Sequence, residues 1–241
     1  MARVFITGSA DGLGHAAAET LLTAGHEVLV HVRAPERRAA VEPLLDRGAT
    51  LVVGDLADLA ETRSVAEQVN ALGAPTAVIH NAGVYSGPSI LSVNVIAPYV
   101  LTALLPRPER LVYVSSGMHR GGTPSLDALD GRGGSISYSD SKLFVTALAA
   151  AVARRWPEVR THAVDPGWVP TKMGGPSAPD DLRLGHLTQE WLATSDDDEA
   201  LTTGGYWFHQ TRRDPHPAVN DTAFQARLLD ALARATGISL P

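Results

Sequence analysis

Short apolar, β-branched runs alternate along this chain with helix-length amphipathic stretches, and several end at a glycine. Residues 3–7 form an apolar run closed by Gly8, and residues 13–24 carry helix formers stopped by Gly25. Residues 27–32 predict a second strand, 35–47 a charged helix ended by Gly48, 50–53 a third strand and 59–72 a third helix. Strand-like runs at 76–80, 110–115 and 159–164 continue the series, with helical segments between them. Near-continuous apolar strands separated by helices predict an α/β fold, a doubly wound parallel sheet of about seven strands with helices on both faces. Beyond Pro170 the alternation breaks. Gly174, Gly175, Pro176 and Pro179 predict a flap around 170–200 with a helix-like stretch at 182–192, then a closing strand at 206–208 and a final helix at 222–235. There is no long linker, repeat or low-complexity stretch, so residues 1–241 are expected to form one domain.

Composition narrows the field. The 241 residues are 44% hydrophobic and 19% charged, a balance that supports a sizeable core. Against 26 acidic residues stand 20 basic ones, a net charge of -6 with no basic block, so no nucleic-acid partner is expected. Cysteine is absent, which excludes disulfides, thiolate zinc sites, iron–sulfur clusters and cysteine nucleophiles. The histidines lack a zinc spacing, and the acidic run at 195–199 reads as a Ser195 N-cap with acids in the first helical turn, so no metal is expected. Residues 71–106 contain no Asp, Glu, Lys or Arg, but Pro75, Asn81, Pro88, Asn94 and Pro98 interrupt them, and no membrane span is expected. The chain opens without a signal-length apolar run, so a cytoplasmic location is expected. Only Lys142 and Lys172 are lysines among the 20 basic residues, which marks each for work that Arg cannot do.

Directly after the first strand, Thr7-Gly8-Ser9-Ala10-Asp11-Gly12-Leu13-Gly14 opens a helix. Gly8 permits a tight turn, Gly12 lets backbone N–H groups approach a pyrophosphate, and Gly14 allows close helix–strand packing; the helix N-terminus adds partial positive charge. Such a turn predicts a dinucleotide site. Arg33 follows the second strand, where an Asp or Glu would hold a ribose 2′-hydroxyl; an Arg suits a 2′-phosphate, with Arg37 and Arg38 adding to its field. Asp11 works against an extra phosphate. NADP is expected, with NAD as the alternative.

Tyr138 and Lys142 are four apart at the start of a helix, hence on one face. An ammonium beside a phenol favours the phenolate, so Lys142 is expected to lower the Tyr138 pKa from about 10, suiting it to exchange a proton with a carbonyl oxygen. Upstream, the strand-like run 111–116 ends in two serines, and Ser116 is placed to hydrogen-bond that oxygen. His80-Asn81-Ala82-Gly83 follows the fourth strand, and Asn94 sits on the apolar segment after it.

Taken in order, T-G-x-x-x-G-x-G, N-A-G, Ser116, Y-x-x-x-K and the P-G of Asp165-Pro166-Gly167-Trp168-Val169-Pro170-Thr171 resemble the short-chain dehydrogenase/reductase family, from the start of the chain to about Met173. The resemblance implies a Rossmann-type fold, an oxidoreductase that interconverts a ketone or aldehyde with its alcohol, and roles for matching positions. Tyr138 is implied as general acid/base, and Lys142 as holder of the nicotinamide ribose that lowers the tyrosine pKa. Ser116 orients the carbonyl, and Asn94 anchors a water-mediated proton relay. Gly8, Asp11, Gly12, Leu13 and Gly14 form the phosphate turn, with Arg33 at the 2′-phosphate. Asp55 and Leu56 touch adenine; Asn81, Ala82 and Gly83 line the adenosine side; Pro166, Gly167, Val169 and Thr171 cradle the nicotinamide.

Two departures refine this. Asn81 to Asn94 is shorter than the family usually has, so the fourth helix is expected to be trimmed. Ser116 to Tyr138 is longer than the family minimum, and Ser-Ser-Gly-Met-His119-Arg120 with this insertion resembles the retinol-dehydrogenase-like branch, whose members often take apolar carbonyls or alcohols. The 117–137 loop is expected to close over the substrate with His119 or Arg120 near its mouth, and Trp168, Met173 and Trp191 are candidates for an apolar pocket. The helix after Lys142 is apolar all round to Ala153, which with the resemblance suggests a homodimer or homotetramer. Two rivals remain: a non-catalytic NAD(P)-sensing regulator, which needs no tuned phenol, and an extended-type sugar-nucleotide epimerase or dehydratase, against which the short C-terminal part counts.

Overall fold

The alternation in the sequence becomes one eight-stranded sheet in the computed structural model, whose described residues are 1–131 and 135–241. In chain order the elements are β1 (Arg3–Ile6), α1 (Gly12–Thr23), β2 (Glu27–Val32), α2 (Glu42–Leu45), β3 (Thr50–Val53), α3 (Leu59–Leu72), β4 (Ala77–His80) and α4 (Ala97–Leu104). They continue as β5 (Arg110–Val114), α5 (Tyr138–Arg155), β6 (Arg160–Asp165), α6 (Leu182–Thr194), β7 (Gly205–Phe208), β8 (Thr211–Arg213) and α7 (Thr222–Thr236). The order across the sheet is β3-β2-β1-β4-β5-β6-β7-β8, parallel except for the last pair. Strand order reverses between β1 and β4, and the crevice beyond the strand C-termini at such a switch point is where open α/β sheets bind ligands.

Successive strand residues point to opposite faces and supply two cores. Val4, Ile6, Val30, Ile79, Val112 and Trp207 pack with residues of α1, α2 and α6. Phe5, Leu29, Val78, Leu111, Tyr113 and Tyr206 pack with α3, α4, α5 and α7. Both faces are covered, which is why the strands carry no polar side.

Several expectations are corrected by the tertiary structure. Residues 35–47 are not one helix: a 3₁₀ turn at Pro35–Ala40 gives way to the four-residue α2. Pro43 lacks an N–H and its ring crowds the preceding turn. The eighth strand, β8, is exposed Thr-Arg-Arg without apolar alternation, and the turn into it uses His209 and Gln210 at φ 47° and 57° in place of the usual glycine. The expected flap at 170–200 is too long, because α6 lies across α1 and the sheet with Leu192 and Ala193 fully buried. Ser195 is the C-cap of α6 rather than an N-cap; Asp196 pairs with Arg110 and Asp197 accepts from Trp191 Nε1 at 2.6 Å. The fourth helix is indeed short, eight residues, and is preceded by a π turn at Ser92–Ile96.

The all-apolar α5 has its surroundings within the chain. It packs on β5 and β6, and α7 crosses its other side, with the Phe144 and Phe224 ring centroids 6.1 Å apart. The feature that suggested a two-fold interface is thus accounted for by the chain's own last helix. The 117–137 insertion begins as a 3₁₀ turn, Gly117–Gly121, and further along buries Leu129 in the core shared by α5 and α7 and pairs Asp130 with Arg234 at 2.7 Å. Residues 132–134 of that expected lid lie outside the described residues. Among the described residues, no helix is long and apolar enough to cross a membrane.

Candidate active site

The glycine-rich turn leaves β1 with Gly8 at φ 70° and enters α1 with Gly12 at φ 58°, conformations that favour glycine. A buried histidine holds it. Gly8 N–H donates to His31 Nδ1 at 3.0 Å, Ser9 N–H donates to the His31 carbonyl at 2.9 Å, and His31 Nε2–H donates to the Gly54 carbonyl at 2.8 Å. With both ring nitrogens so engaged, His31 is neutral, and burial pushes its pKa down. The sequence reading missed this residue; its signal was a lone imidazole inside an apolar strand.

The Asn81-Ala82-Gly83 segment buttresses the same turn. Asn81 Nδ2 donates to the Thr7 and Gly8 carbonyls at 3.0 and 3.1 Å, while Thr7 Oγ1 accepts from the N–H groups of Asn81 and Ala82. Gly14 lies beneath. A methyl there would stand 2.5 Å from the Gly8 oxygen and overlap Asn81 Nδ2. Gly14→Ala is therefore expected to cost about 1–3 kcal/mol, the range for overpacking a filled site, together with weaker dinucleotide binding. Thermal denaturation checks it, and an unchanged midpoint would mean that the turn has room.

A cleft of about 510 Å³ runs along the strand C-termini. Arg33, Arg37, Asp55 and Leu56 line it beyond β2 and β3; Gly8, Asp11, Gly12 and Leu13 beyond β1; Asn81, Ala82 and Gly83 beyond β4; Tyr138, Lys142, Pro166 and Thr171 toward β5 and β6. Five expected site residues do not line it. Gly14 is under the turn, Asn94 is buried next to Gly83, Ser116 is half-buried with its hydroxyl on Tyr138, and Val169 is buried against Gly185 of α6. Gly167, at φ 81°, is pinned by Asp180, whose carboxylate accepts from Trp168 N–H at 2.6 Å. Asp11 accepts from Arg37 at 3.0 Å and from Lys172 at 2.6 Å. Partial burial works to raise its pKa, but the two cations outweigh that and hold it below the ordinary value.

At the other end, a capping box starts α5: Ser137 Oγ accepts from Asp140 N–H, and the Asp140 carboxylate accepts from Ser137 N–H. This puts Tyr138 in the first turn and Lys142 one turn on. Lys142 Nζ is buried, donates to the Val114 carbonyl at 2.8 Å, and lies 5.5 Å from the Tyr138 ring centroid. The expected lowering of the Tyr138 pKa is not what this geometry produces. Burial raises the phenol to about 12; its hydrogen bond with Ser116 pulls the other way, and Asp165 and Tyr85 push further up. Lys142 is itself desolvated, its ammonium weakened to about 8 despite Asp165, and is committed to a backbone carbonyl.

Ser116 is the serine that meets Tyr138, since Ser115 is buried with its hydroxyl on Thr146 at 2.6 Å. Asn94, inside the π turn, accepts from Val84 N–H at 2.8 Å and donates to the Val84 carbonyl and Ser141 Oγ, each at 2.9 Å. Tyr85, absent from the sequence reading, packs on Tyr138 with ring centroids 4.9 Å apart. Neither His119 nor Arg120 is at a mouth. His119 is fully buried, its Nδ1–H donating to the Ser116 carbonyl at 2.8 Å and its Nε2 accepting from His216 N–H at 3.0 Å. Arg120 clamps the Asp214 carbonyl at 2.5 Å. Met173 lines the cleft and Trp168 is exposed on the flap, whereas Trp191 packs edge-on to Trp207 in the core.

A glycine-rich phosphate turn joined by one cleft to a Ser–Tyr–Lys set defines a dinucleotide-dependent oxidoreductase. Residues 2–104 match the family model described as short chain dehydrogenase. The chain is 38% identical to the short-chain dehydrogenase chry4 of Gibberella zeae across its full length and 99% of that protein. It is 31% identical to human retinol dehydrogenase 14 over 71% of this chain and 62% of that one. The crystal structure of an uncharacterized protein from Mycobacterium paratuberculosis matches with a TM-score of 0.82 and 25% identity, covering 100% of this chain and 95% of that one. The chain belongs to the short-chain dehydrogenase/reductase family, with a retinol-dehydrogenase-like relationship, and is an NAD(P)-dependent oxidoreductase acting on CH–OH and C=O groups.

Proposed function

We propose that the protein reduces an apolar ketone or aldehyde with NADPH and oxidises the corresponding alcohol in reverse, Tyr138 exchanging the proton. The observation that carries this reading is the single cleft joining Arg33 and Arg37 to Tyr138 and Lys142. Its walls suit a dinucleotide. The turn has no Cβ where Gly8, Gly12 and Gly14 face their neighbours, and the two arginines suit a 2′-phosphate. Asp11, the charge that counts against that phosphate, is already paired with two cations. Asp55 and Leu56 take the adenine end, Asn81 to Gly83 the adenosine side, Lys142 the nicotinamide ribose, and Pro166 and Thr171 the nicotinamide.

When bound, the dinucleotide supplies or accepts the hydride at the carbonyl carbon. The chain does the rest. Ser116 orients the carbonyl oxygen, and the Tyr138 hydroxyl donates its proton to that oxygen as charge develops there. A phenol raised to about 12 stays protonated at neutral pH and so is a donor by default. Asn94 acts as a brace: its committed amide fixes Val84 and α5 at Ser141, one residue before Lys142. Tyr85 over Tyr138, Met118 beside Ser116 and Met173 in the cleft are exposed apolar side chains that favour an apolar substrate body, and the relationship to retinol dehydrogenase 14 supports the same choice.

Titration of the purified protein with NADPH and NADH, followed by cofactor fluorescence, tests the reading. NADPH is expected to bind the more tightly, and Arg33→Ala to weaken NADPH about tenfold, the effect of one charge-assisted hydrogen bond, with NADH unchanged. Equal loss for both cofactors would remove Arg33 from the 2′-phosphate. A carbonyl panel then decides the substrate: turnover confined to short charged keto acids overturns the apolar assignment.

A further inference from the structure

Of the two lysines in the chain, Lys142 serves the Ser–Tyr–Lys set, and Lys172 sits on the flap and reaches across the cleft to the phosphate turn. Its Nζ lies 2.6 Å from Asp11 Oδ2, the same oxygen that accepts from Arg37 at 3.0 Å. The stretch of flap that carries it is closed on itself. Trp168 Nε1–H donates to the Gly174 carbonyl and Gly175 N–H to the Thr171 carbonyl, each at 2.8 Å. It also rests on the turn, since a methyl on Gly12 would stand 3.3 Å from the Thr171 methyl. Exposed ion pairs add little to stability, so the consequence of this bridge lies in where it puts the carboxylate.

Asp11 is the N-cap of α1, its backbone extended at φ -162° and ψ 178° as an N-cap's is. Where an aspartate starts another helix of the chain, its carboxylate accepts from that helix's own first N–H groups. Asp58 accepts from Ala60 and Glu61 in α3, Asp181 from Leu184 in α6, and Asp221 from Ala223 and Phe224 in α7. Asp11 makes no such bond. The donors it forgoes are the second and third N–H groups of α1, those of Leu13 and Gly14, where the helix field also favours an anion. A dinucleotide pyrophosphate uses the same end of the helix in a turn of this kind, so carboxylate and phosphate compete for one set of donors. We infer that Lys172 is a positioning residue for dinucleotide binding: with Arg37 it draws the Asp11 carboxylate aside and keeps the N-terminus of α1 clear of the chain's own anion. The inference rests on the reading that puts the pyrophosphate at this turn.

The test compares the parent, Lys172→Met, Asp11→Ala and the double variant by fluorescence titration with NADPH and NADH. Alongside, amide hydrogen exchange at Leu13 and Gly14 is followed in the cofactor-free parent and Lys172→Met. Lys172 is exposed, so its replacement leaves the core untouched. Lys172→Met is expected to weaken both cofactors about fivefold, the worth of one N-cap interaction expressed as an affinity ratio. It is also expected to slow exchange at Leu13 and Gly14, as the carboxylate turns onto them. In the Asp11→Ala background the same replacement is expected to leave both affinities unchanged. A loss that persists there overturns the inference, because Lys172 would then act on the dinucleotide itself. A loss confined to NADPH overturns it in favour of the 2′-phosphate, and unchanged affinity or unchanged amide exchange in Lys172→Met overturns it outright. If Asp11→Ala does not bind either cofactor, the amide exchange decides. Failure of the parent to bind either cofactor would instead strike the placement of the dinucleotide, while exchange at Leu13 and Gly14 still reports whether Lys172 holds Asp11 off the helix.

Discussion

Tyr138→Phe is expected to reduce turnover about 10²–10⁴-fold, the usual contribution of a positioned acid or base, with NADPH affinity and thermal midpoint near those of the parent. The substitution removes one oxygen. The ring that packs on Tyr85 stays, so no cavity forms. The hydroxyl's hydrogen-bond partner is Ser116, whose oxygen also accepts from Met118 N–H at 3.2 Å and so keeps a partner. The groups assigned to the dinucleotide are untouched, and Lys142 remains on the Val114 carbonyl. A loss of rate with binding intact therefore isolates proton transfer. Single-turnover rates and fluorescence titration on the same preparation check it, and turnover within a few-fold of the parent would take Tyr138 out of the chemistry.

The second large effect is on stability. The thermal midpoint is expected to be nearly flat between pH 6.5 and 8 and to fall steeply below that range. Burial lowers the pKa of His31 and His119, takes His162 to about 4, and takes His80 to about 3. Each titrates near 6.5 in the unfolded chain. Below that value the unfolded state binds protons that the native state refuses, so stability is lost as pH falls toward the folded values. For His80 alone the loss is about 1.4 kcal/mol per pH unit.

The geometry around His80 explains why it resists a second proton. The Thr102 hydroxyl donates to the Pro98 carbonyl at 2.7 Å, so His80 Nε2–H is the donor toward Thr102 at 3.1 Å. Its Nδ1 has no hydrogen-bond partner among the described residues, and the ring stacks on Tyr113 at 4.7 Å. A proton on Nδ1 would be buried without an acceptor. Glu190, whose carboxyl burial raises, works in the opposite sense nearer pH 4.5. Two such histidines acting between pH 6.5 and 4.5 amount to several kcal/mol, comparable with the whole stability of a typical domain. Calorimetry from pH 8 to 4.5 reads this directly, and His80→Asn should flatten the slope. A midpoint that holds to pH 4.5 would mean that these rings take up protons in the folded state.

Much of the site was legible because the chemistry is carried by local spacing. The turn from Thr7 to Gly14 is contiguous, and Tyr138 and Lys142 share a helix face by their four-residue interval. Strand ends mark the sheet's C-terminal edge, so Asn81 could be assigned to the crevice from its position after an apolar run, and Ser116 to the neighbourhood of Tyr138. What escaped was set by distant neighbours. Nothing near His31 in sequence announces that it accepts from Gly8 N–H, and the break in the second helix turned on Pro43. The direction of the Tyr138 pKa shift was misread because the local pair, phenol and ammonium, was visible, while the burial of both and the carboxylate of Asp165 were not.

The order of elements, the parallel sheet, the phosphate turn and the phenol–ammonium pair follow from the sequence by itself, since apolar periodicity, glycine positions and helix spacing act over a few residues. Tertiary structure alone decided that α6 is a layer of the core and not a flap, that α7 covers α5, that Tyr206 donates to Asp165, and that Ser116 meets Tyr138. Each of those depends on burial and on partners brought from far along the chain, and desolvation, which sets both the packing and the proton affinities here, is a property of the assembled interior.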